Sequence, residues 1–229
     1  MKHFKNYLIE STREKYYEEQ HQEWKDTPHQ NSPIAVGWLD GRQNQTKRFE
    51  TLLDIGVQEG DSILDLGCGL GHLSEHLEKI NLNVNYTGID TNKWAIEQAH
   101  EFKENINSPM LGVPKAYRFN EATFLHSTIF EICGRYDWGI ASGVFNVGFP
   151  KLEMLETINE LLSKAKKGVA FNLLNHADSN FDKDIPMEYE IYAPKEIVSH
   201  LLEGDVSIVE NYGVENDFTI YIRKIDENI

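Results

Sequence analysis

From residue 61 onward the chain alternates short apolar, β-rich runs with longer stretches of helical spacing. The runs are Ser62–Leu66 (SILDL), Val84–Ile89 (VNYTGI), Ala116–Phe119 (AYRF), Trp138–Ala141 (WGIA) and Gly168–Leu174 (GVAFNLL). Between them, His72–Ile80, Lys93–Glu104, Phe124–Cys133 and Lys151–Lys166 repeat their apolar residues at helical intervals. Strands separated by helices of this length predict right-handed βαβ crossovers and a mostly parallel sheet. Nearly continuous apolar runs predict strands covered on both faces. Beyond Tyr192 the pattern becomes helix (Pro194–Leu202), strand (Val206–Glu210), a turn near Gly213 and strand (Phe218–Arg223). Two strands joined by so short a link must run antiparallel. The expected fold class is α/β, a seven-stranded, mostly parallel sheet closed by an antiparallel C-terminal hairpin.

The first 60 residues follow another pattern. Ser11 and Glu14 have capping-box spacing and lead into a polar, aromatic stretch through Trp24. Lys25–Pro33 reads as a loop. Phe49, Leu52, Leu53 and Ile55 form an apolar helical face ended by Gly56. The expected organisation is a helical cap or lid over residues 1–60, laid on a core of residues 61–229. No internal repeat or low-complexity tract interrupts it.

Composition narrows the partners. With 40% apolar and 26% charged residues the chain has a folded composition, and 22 basic against 37 acidic side chains give a net charge of −15. That charge repels phosphate backbones, so neither nucleic acid nor an anionic membrane is the expected partner. Two cysteines, Cys68 and Cys133, are too few for a disulfide scaffold. No stretch approaches the roughly 18 apolar residues that span a bilayer, and no apolar leader follows Met1, so the cytoplasm is the expected location.

The segment Asp65-Leu66-Gly67-Cys68-Gly69-Leu70-Gly71 follows a strand and opens a helix. Glycines are needed where a strand turns tightly into a helix and where a ligand must touch bare backbone. The helix start beyond them offers unpaired N–H groups and a positive dipole end. An acid, Asp90, closes the next strand, where a carboxylate can accept hydrogen bonds from both hydroxyls of a ribose. Dinucleotide binders place a third glycine where this chain has His72, and no Walker lysine follows the loop.

With acid-x-G-x-G-x-G at Asp65–Gly71, an acid at Asp90 and the terminal hairpin, residues 61–225 resemble the class I S-adenosylmethionine-dependent methyltransferases. The resemblance implies a Rossmann-like fold and S-adenosylmethionine as cofactor, with S-adenosylhomocysteine as product. It implies a backbone platform for the methionyl part at Gly67 and Gly69, with Cys68 and Gly71 completing the loop. Asp65 matches the family acid that orients the cofactor's amino group, and Asp90 the ribose clamp, with Thr91 and Trp94 flanking the adenine. Glu121, with Ala122 beside it, ends the run after Phe119, where the family places an acceptor for the adenine amine. Ser142 and Gly143 end the fourth run beside the methionine moiety. Upstream, Ala35–Trp38 and Gln45–Leu52 resemble a pattern preceding the loop in some bacterial methyltransferases. There Arg48 is either a bidentate partner of the cofactor carboxylate or a solvated helix arginine. Trp38 reads as packing, or as a lid side chain over the cofactor.

Methyl transfer from a sulfonium is an in-line displacement that requires alignment and exclusion of water, and a general base only when the nucleophile arrives protonated. The acceptor side belongs past the fourth and fifth strands and on the cap. The fourth run lacks both the Asn/Asp-Pro-Pro-aromatic motif of base-amino methylation and the aspartate of magnesium-dependent members, so no metal is expected. His176 and Tyr192 are the candidate catalytic groups, a proton acceptor and a substrate hydrogen bonder; His176 also reads as a surface-loop histidine. The acidic stretch from Asp178 to Glu190 suits a cationic acceptor or is simply a solvated loop. Cys68 reads as a small packing residue, not a nucleophile. The expected activity is methyl transfer to a nitrogen or oxygen of a small molecule. The alternatives are a non-catalytic cofactor binder and a methyltransferase acting on protein or RNA.

Overall fold

The computed structural model describes residues 13, 15–24, 41–106, 122–175, 192–201 and 204–225. Its helices are α1 (residues 15–24), α2 (Gly41–Leu53), α3 (His72–Lys79), α4 (Lys93–Ile106), α5 (Lys151–Lys164) and α6 (Pro194–Val198). Its strands are β1 (Ser62–Leu66), β2 (Asn85–Asp90), β3 (Thr123–His126), β4 (Tyr136–Ala141), β5 (Ala165–Leu174), β6 (Asp205–Glu210) and β7 (Asp217–Arg223). They form one seven-stranded sheet in the order β3-β2-β1-β4-β5-β7-β6. β1, β2, β3, β4 and β5 pair in parallel, and β7 pairs antiparallel with both β5 and β6. The Rossmann-like α/β architecture read from the sequence is the architecture observed. No helix among the described residues is long and apolar enough to cross a membrane.

Strand alternation divides the interior into two layers, because successive side chains point to opposite faces. Leu64, Phe171, Leu173, Phe218 and Ile220 pack with Met154, Ile158 and Leu161 of α5 on one face. Ile63, Ile140 and Tyr221 pack on the other with Phe49 and Leu52 of α2, Leu73 and Leu77 of α3 and Ile96 of α4. Helix α2 is thus a flank of the sheet, tied to β7 by Tyr221 Oη donating to Thr51 O and by Arg223 Nε donating to Ile55 O at 3.1 Å. The helix α1 lies elsewhere, across the carboxyl edge of the strands.

One sequence expectation fails. The stretch Phe124–Cys133, expected as a helix, contains β3 and a 3₁₀ turn at Ile129–Glu131. Its apolar residues serve different layers, Phe124 joining the α2–α4 side and Ile129 and Ile132 the α5 side, which one helix face cannot do. A capping box at Thr128 and Glu131 starts the 3₁₀ turn afresh after the strand. The strand expected at Ala116–Phe119 lies outside the described residues, as do Ser11, Glu14, Trp38, Glu121, His176 and the acidic stretch Asp178–Glu190.

Candidate active site

β1 lies between β2 and β4, so the direction of strand succession reverses there and the crossovers part at the carboxyl edge. The glycine loop fills that edge. The N–H groups of Gly67 and Cys68 both donate to Ile89 O, at 2.8 and 3.0 Å, and tie the loop to β2. Gly67 has φ +68°, and a Cβ there would come within 2.5 Å of Val144 Cγ2, so the loop and the turn after β4 meet only because this residue has no side chain. Gly71, with φ +79°, starts α3 against the ring of Phe124.

Asp90 links two crossovers. Its Oδ2 accepts the Gly69 N–H at 2.9 Å and its Oδ1 the Asn92 N–H at 2.8 Å. Burial raises its pKa, and those two N–H groups oppose the rise. Asp65 is more isolated. It is 2% exposed, accepts a hydrogen bond from Tyr86 Oη, and pairs with no lysine, arginine or histidine among the described residues. Burial pushes its pKa up to about 7; the Tyr86 hydrogen bond pulls downward and the nearby Asp90 charge adds to the rise. Cys68 is buried beside them and packs on Gly88, and burial, Asp90 and Asp65 together push its thiol well up. It is a packing residue, and a thiol so held is a poor nucleophile.

Across the crevice, Ser142 follows β4 with its Oγ buried and without a hydrogen-bond partner among the described residues. Behind it runs a polar chain. Asn172 Oδ1 accepts the Gly143 N–H at 2.8 Å, and its Nδ2 lies 3.4 Å from both carboxylate oxygens of Asp217. Asp217 also accepts from Tyr212 Oη and from Arg48 Nε, the latter at 2.7 Å.

That chain corrects one reading. Arg48 is 4% exposed and ion-paired with Asp217, so it is not a solvated helix arginine, and its Nε is already committed within the protein. Tyr192 is also buried, donating its hydroxyl to Phe149 O at 2.9 Å within the α5-side layer. Ala122 precedes β3 instead of ending a strand. It is buried in the α2–α4 layer with its carbonyl accepting from Lys103 Nζ, so it does not end the third strand of the sheet. The carboxyl end of β3 is His126, level with Asp90. His126 Nε2 lies 3.0 Å from Thr91 O, and the Ser127 N–H donates to Asp90 O at 3.1 Å. Sequence reasoning missed both because it misplaced the strand; the Thr128–Glu131 capping box was the available signal.

Helix α1 makes contacts on both sides of this edge. At one end Arg13, also helical, donates to Glu153 Oε1 of α5 at 2.8 Å and lies over the Phe149 ring at 3.9 Å. Toward the other end His21 stacks on Trp94, the ring centroids 4.0 Å apart and 21° from parallel. Trp24 packs with Trp94 around Leu70 of the glycine loop and Ala95 of α4. Of the expected site residues, the structure gathers Asp65, Gly67, Cys68, Gly69, Gly71 and Asp90 at this edge. Thr91 and Trp94 border it on one side and Ser142 on the other. Among the described residues no group of three or more His, Cys, Asp or Glu side chains is placed to hold a metal ion.

Comparison with known proteins bears on the family and the fold. A family model described as a methyltransferase domain matches residues 57–206, well over half of the chain. Methyltransferase Rv1506c of Mycobacterium tuberculosis is 28% identical over 173 residues, 71% of this chain and 93% of that one. Among solved structures, magnesium protoporphyrin IX methyltransferase (ChlM) of Synechocystis PCC 6803 with bound SAH superposes with a TM-score of 0.64 at 16% identity, covering 96% of this chain and 99% of that one. The N-methyltransferase NodS of Bradyrhizobium japonicum WM9 in complex with S-adenosylhomocysteine gives 0.59 at 14% identity, over 91% and 97%. These last two likenesses concern the fold. With the matching family model and the acid–glycine loop at the switch of the sheet, they place the chain in the methyltransferase domain family, among the class I S-adenosylmethionine-dependent methyltransferases.

Proposed function

We propose that the protein methylates a nitrogen or oxygen of a small molecule, in the crevice between the glycine loop and the turn after β4, beneath α1. The observation that carries the cofactor assignment is the state of Asp65. A buried carboxylate without a cationic partner is costly, and a ligand ammonium at that edge removes the cost. The unpartnered Ser142 Oγ is a second polar atom that such a ligand would satisfy. The bound cofactor supplies an electrophilic methyl group on a sulfonium. In this reading Asp65 holds the cofactor's amino group, the bare backbone of Gly67 and Gly69 supports its methionyl part, and Asp90 takes the ribose hydroxyls through lone pairs not used by Gly69 and Asn92. Trp94 borders the adenine, with His126 and Ser127 at the position expected of Glu121 and Ala122.

The small-molecule reading is supported by the net charge of −15 and by α1 lying over the edge where a polymer would have to enter. Alignment beneath a lid is the enzyme's main contribution to in-line transfer, and can supply roughly 7–11 kcal/mol of the barrier reduction.

Calorimetric titration of S-adenosylhomocysteine into wild type, Asp90→Ala and Gly69→Val tests the site. Wild type is expected to bind one equivalent and both variants to lose most of the affinity. Unchanged heats across all three proteins would reject the site. Incubating the protein with a metabolite extract and isotope-labelled donor then tests the substrate class, with one labelled small product expected and label on protein or RNA contradicting it.

A further inference from the structure

Helix α1 is amphipathic in an uncommon way. Lys15, Glu18, Glu19, Gln22 and Glu23 are exposed, whereas Arg13, Tyr16, Tyr17, Gln20, His21 and Trp24 are half-buried. The spacing of the second set is that of a single helix face. Both layers flanking the sheet are built mainly from Leu, Ile, Val and Phe, yet this face contains no aliphatic residue. Its two ends are anchored on opposite sides of the crevice, Arg13 to Glu153 and Phe149 beyond β4, and His21 to Trp94 beyond β2. Those anchors stand eight positions apart in the chain, about 12 Å of helix. Tyr17 lies four residues from each, on the same face, and Gln20 stands one turn further on. The middle of the face therefore bridges the space between the glycine loop and the turn after β4. Tyr17 also packs edge-on to Tyr16, with ring centroids 5.2 Å apart.

We propose that Tyr17 and Gln20 are the residues by which the protein selects its methyl acceptor, and that they take a cationic small molecule with a planar apolar face. This rests on the reading that the crevice beneath them transfers a methyl group. A tyrosine ring offers a planar apolar surface that also attracts a cation, and glutamine offers both a donor and an acceptor. Between the anchors the face carries no lysine or arginine, and Arg13 is paired with Glu153, so among the described residues this face has no side chain free to neutralise an anion. The net charge of −15 acts in the same direction.

The test uses the full chain saturated with S-adenosylhomocysteine and two probes of similar size and opposite charge, phenethylamine and benzoate, titrated by ligand-observed NMR. Phenethylamine is expected to bind and benzoate not. Tyr17→Ala is expected to weaken phenethylamine by about tenfold, and Tyr17→Phe, which keeps the ring, by less. Both variants are expected to hold S-adenosylhomocysteine within about twofold of wild type, because in this proposal the tyrosine is assigned to the acceptor and not to the cofactor. Equal binding of benzoate, wild-type affinity for phenethylamine in Tyr17→Ala, or no phenethylamine binding by a wild type that holds S-adenosylhomocysteine would each overturn the proposal. So would a Tyr17→Ala protein that loses S-adenosylhomocysteine as well, since its role would then be structural. A wild type that never binds S-adenosylhomocysteine would remove the methyl-transfer reading itself.

Discussion

Asp61, just before β1, and Asp65, within it, present the same carboxyl group toward opposite edges of the sheet. At Asp61, Oδ2 accepts Trp138 Nε1–H at 2.8 Å and the Gln58 N–H at 2.9 Å, and Oδ1 pairs with Lys167 Nζ at 2.5 Å. Burial raises the pKa of this group, but the three donors outweigh it and hold the carboxyl below its ordinary range. Asp65 has a tyrosine hydroxyl and, among the described residues, no cation, and its pKa rises to about 7. The amino edge is complete as folded. The carboxyl edge holds a buried acid that no described cation pairs, and a buried group with so perturbed a pKa in a cleft is a physical mark of a functional site.

The largest expected effect comes from removing that charge without changing its shape. Asp65→Asn keeps an acceptor for Tyr86 but loses the pairing with a ligand ammonium, so affinity for S-adenosylhomocysteine is expected to fall about 100-fold. The same substitution should stabilise the protein without ligand. A folded pKa of about 7 against an ordinary 3.8 means that the wild type loses stability as pH rises between those values, by at most about 4 kcal/mol. Asp65→Asn should therefore unfold later than wild type at pH 8 and no later near pH 4, as thermal melts would show. Asp61→Ala is expected to do the reverse. It leaves the buried indole N–H of Trp138 without a partner, which costs about 1–3 kcal/mol in urea unfolding, and leaves S-adenosylhomocysteine affinity within about twofold. If Asp61→Ala weakens the ligand as much as Asp65→Asn does, the distinction between the two edges fails. The smallest effect belongs to Tyr192→Phe, which removes the hydrogen bond to Phe149 O and should cost about 1 kcal/mol of stability. Methyl incorporation from labelled S-adenosylmethionine should remain within about twofold, whereas a fall of about a hundredfold would restore Tyr192 to catalysis.

Local signals in the sequence located the first crossover. The run at Ser62–Leu66, the glycines after it and the acid at Asp90 are set by backbone conformation and nearest neighbours, and the structure has β1 over the same residues. The third strand was lost because apolar residues at 124, 129 and 132 imitate a helix when the two faces of the sheet are not yet known. Arg48 could not be placed for a different reason. Its partner Asp217 is 169 residues away, and only the packing of α2 against β5 and β7 brings them together. The anchors of α1, Glu153, Phe149 and Trp94, were equally hidden, because they lie on two separate crossovers.

The central claim is that Asp65 waits for a cation, and proton counting tests it most directly. S-adenosylhomocysteine is titrated by calorimetry near pH 6.5 in two buffers of different ionisation enthalpy. Binding is expected to release roughly half a proton or more in wild type and almost none in Asp65→Asn, with wild-type affinity rising between about pH 5.5 and 7.5. Equal proton release by the two proteins, or none by a wild type that binds, would contradict the account.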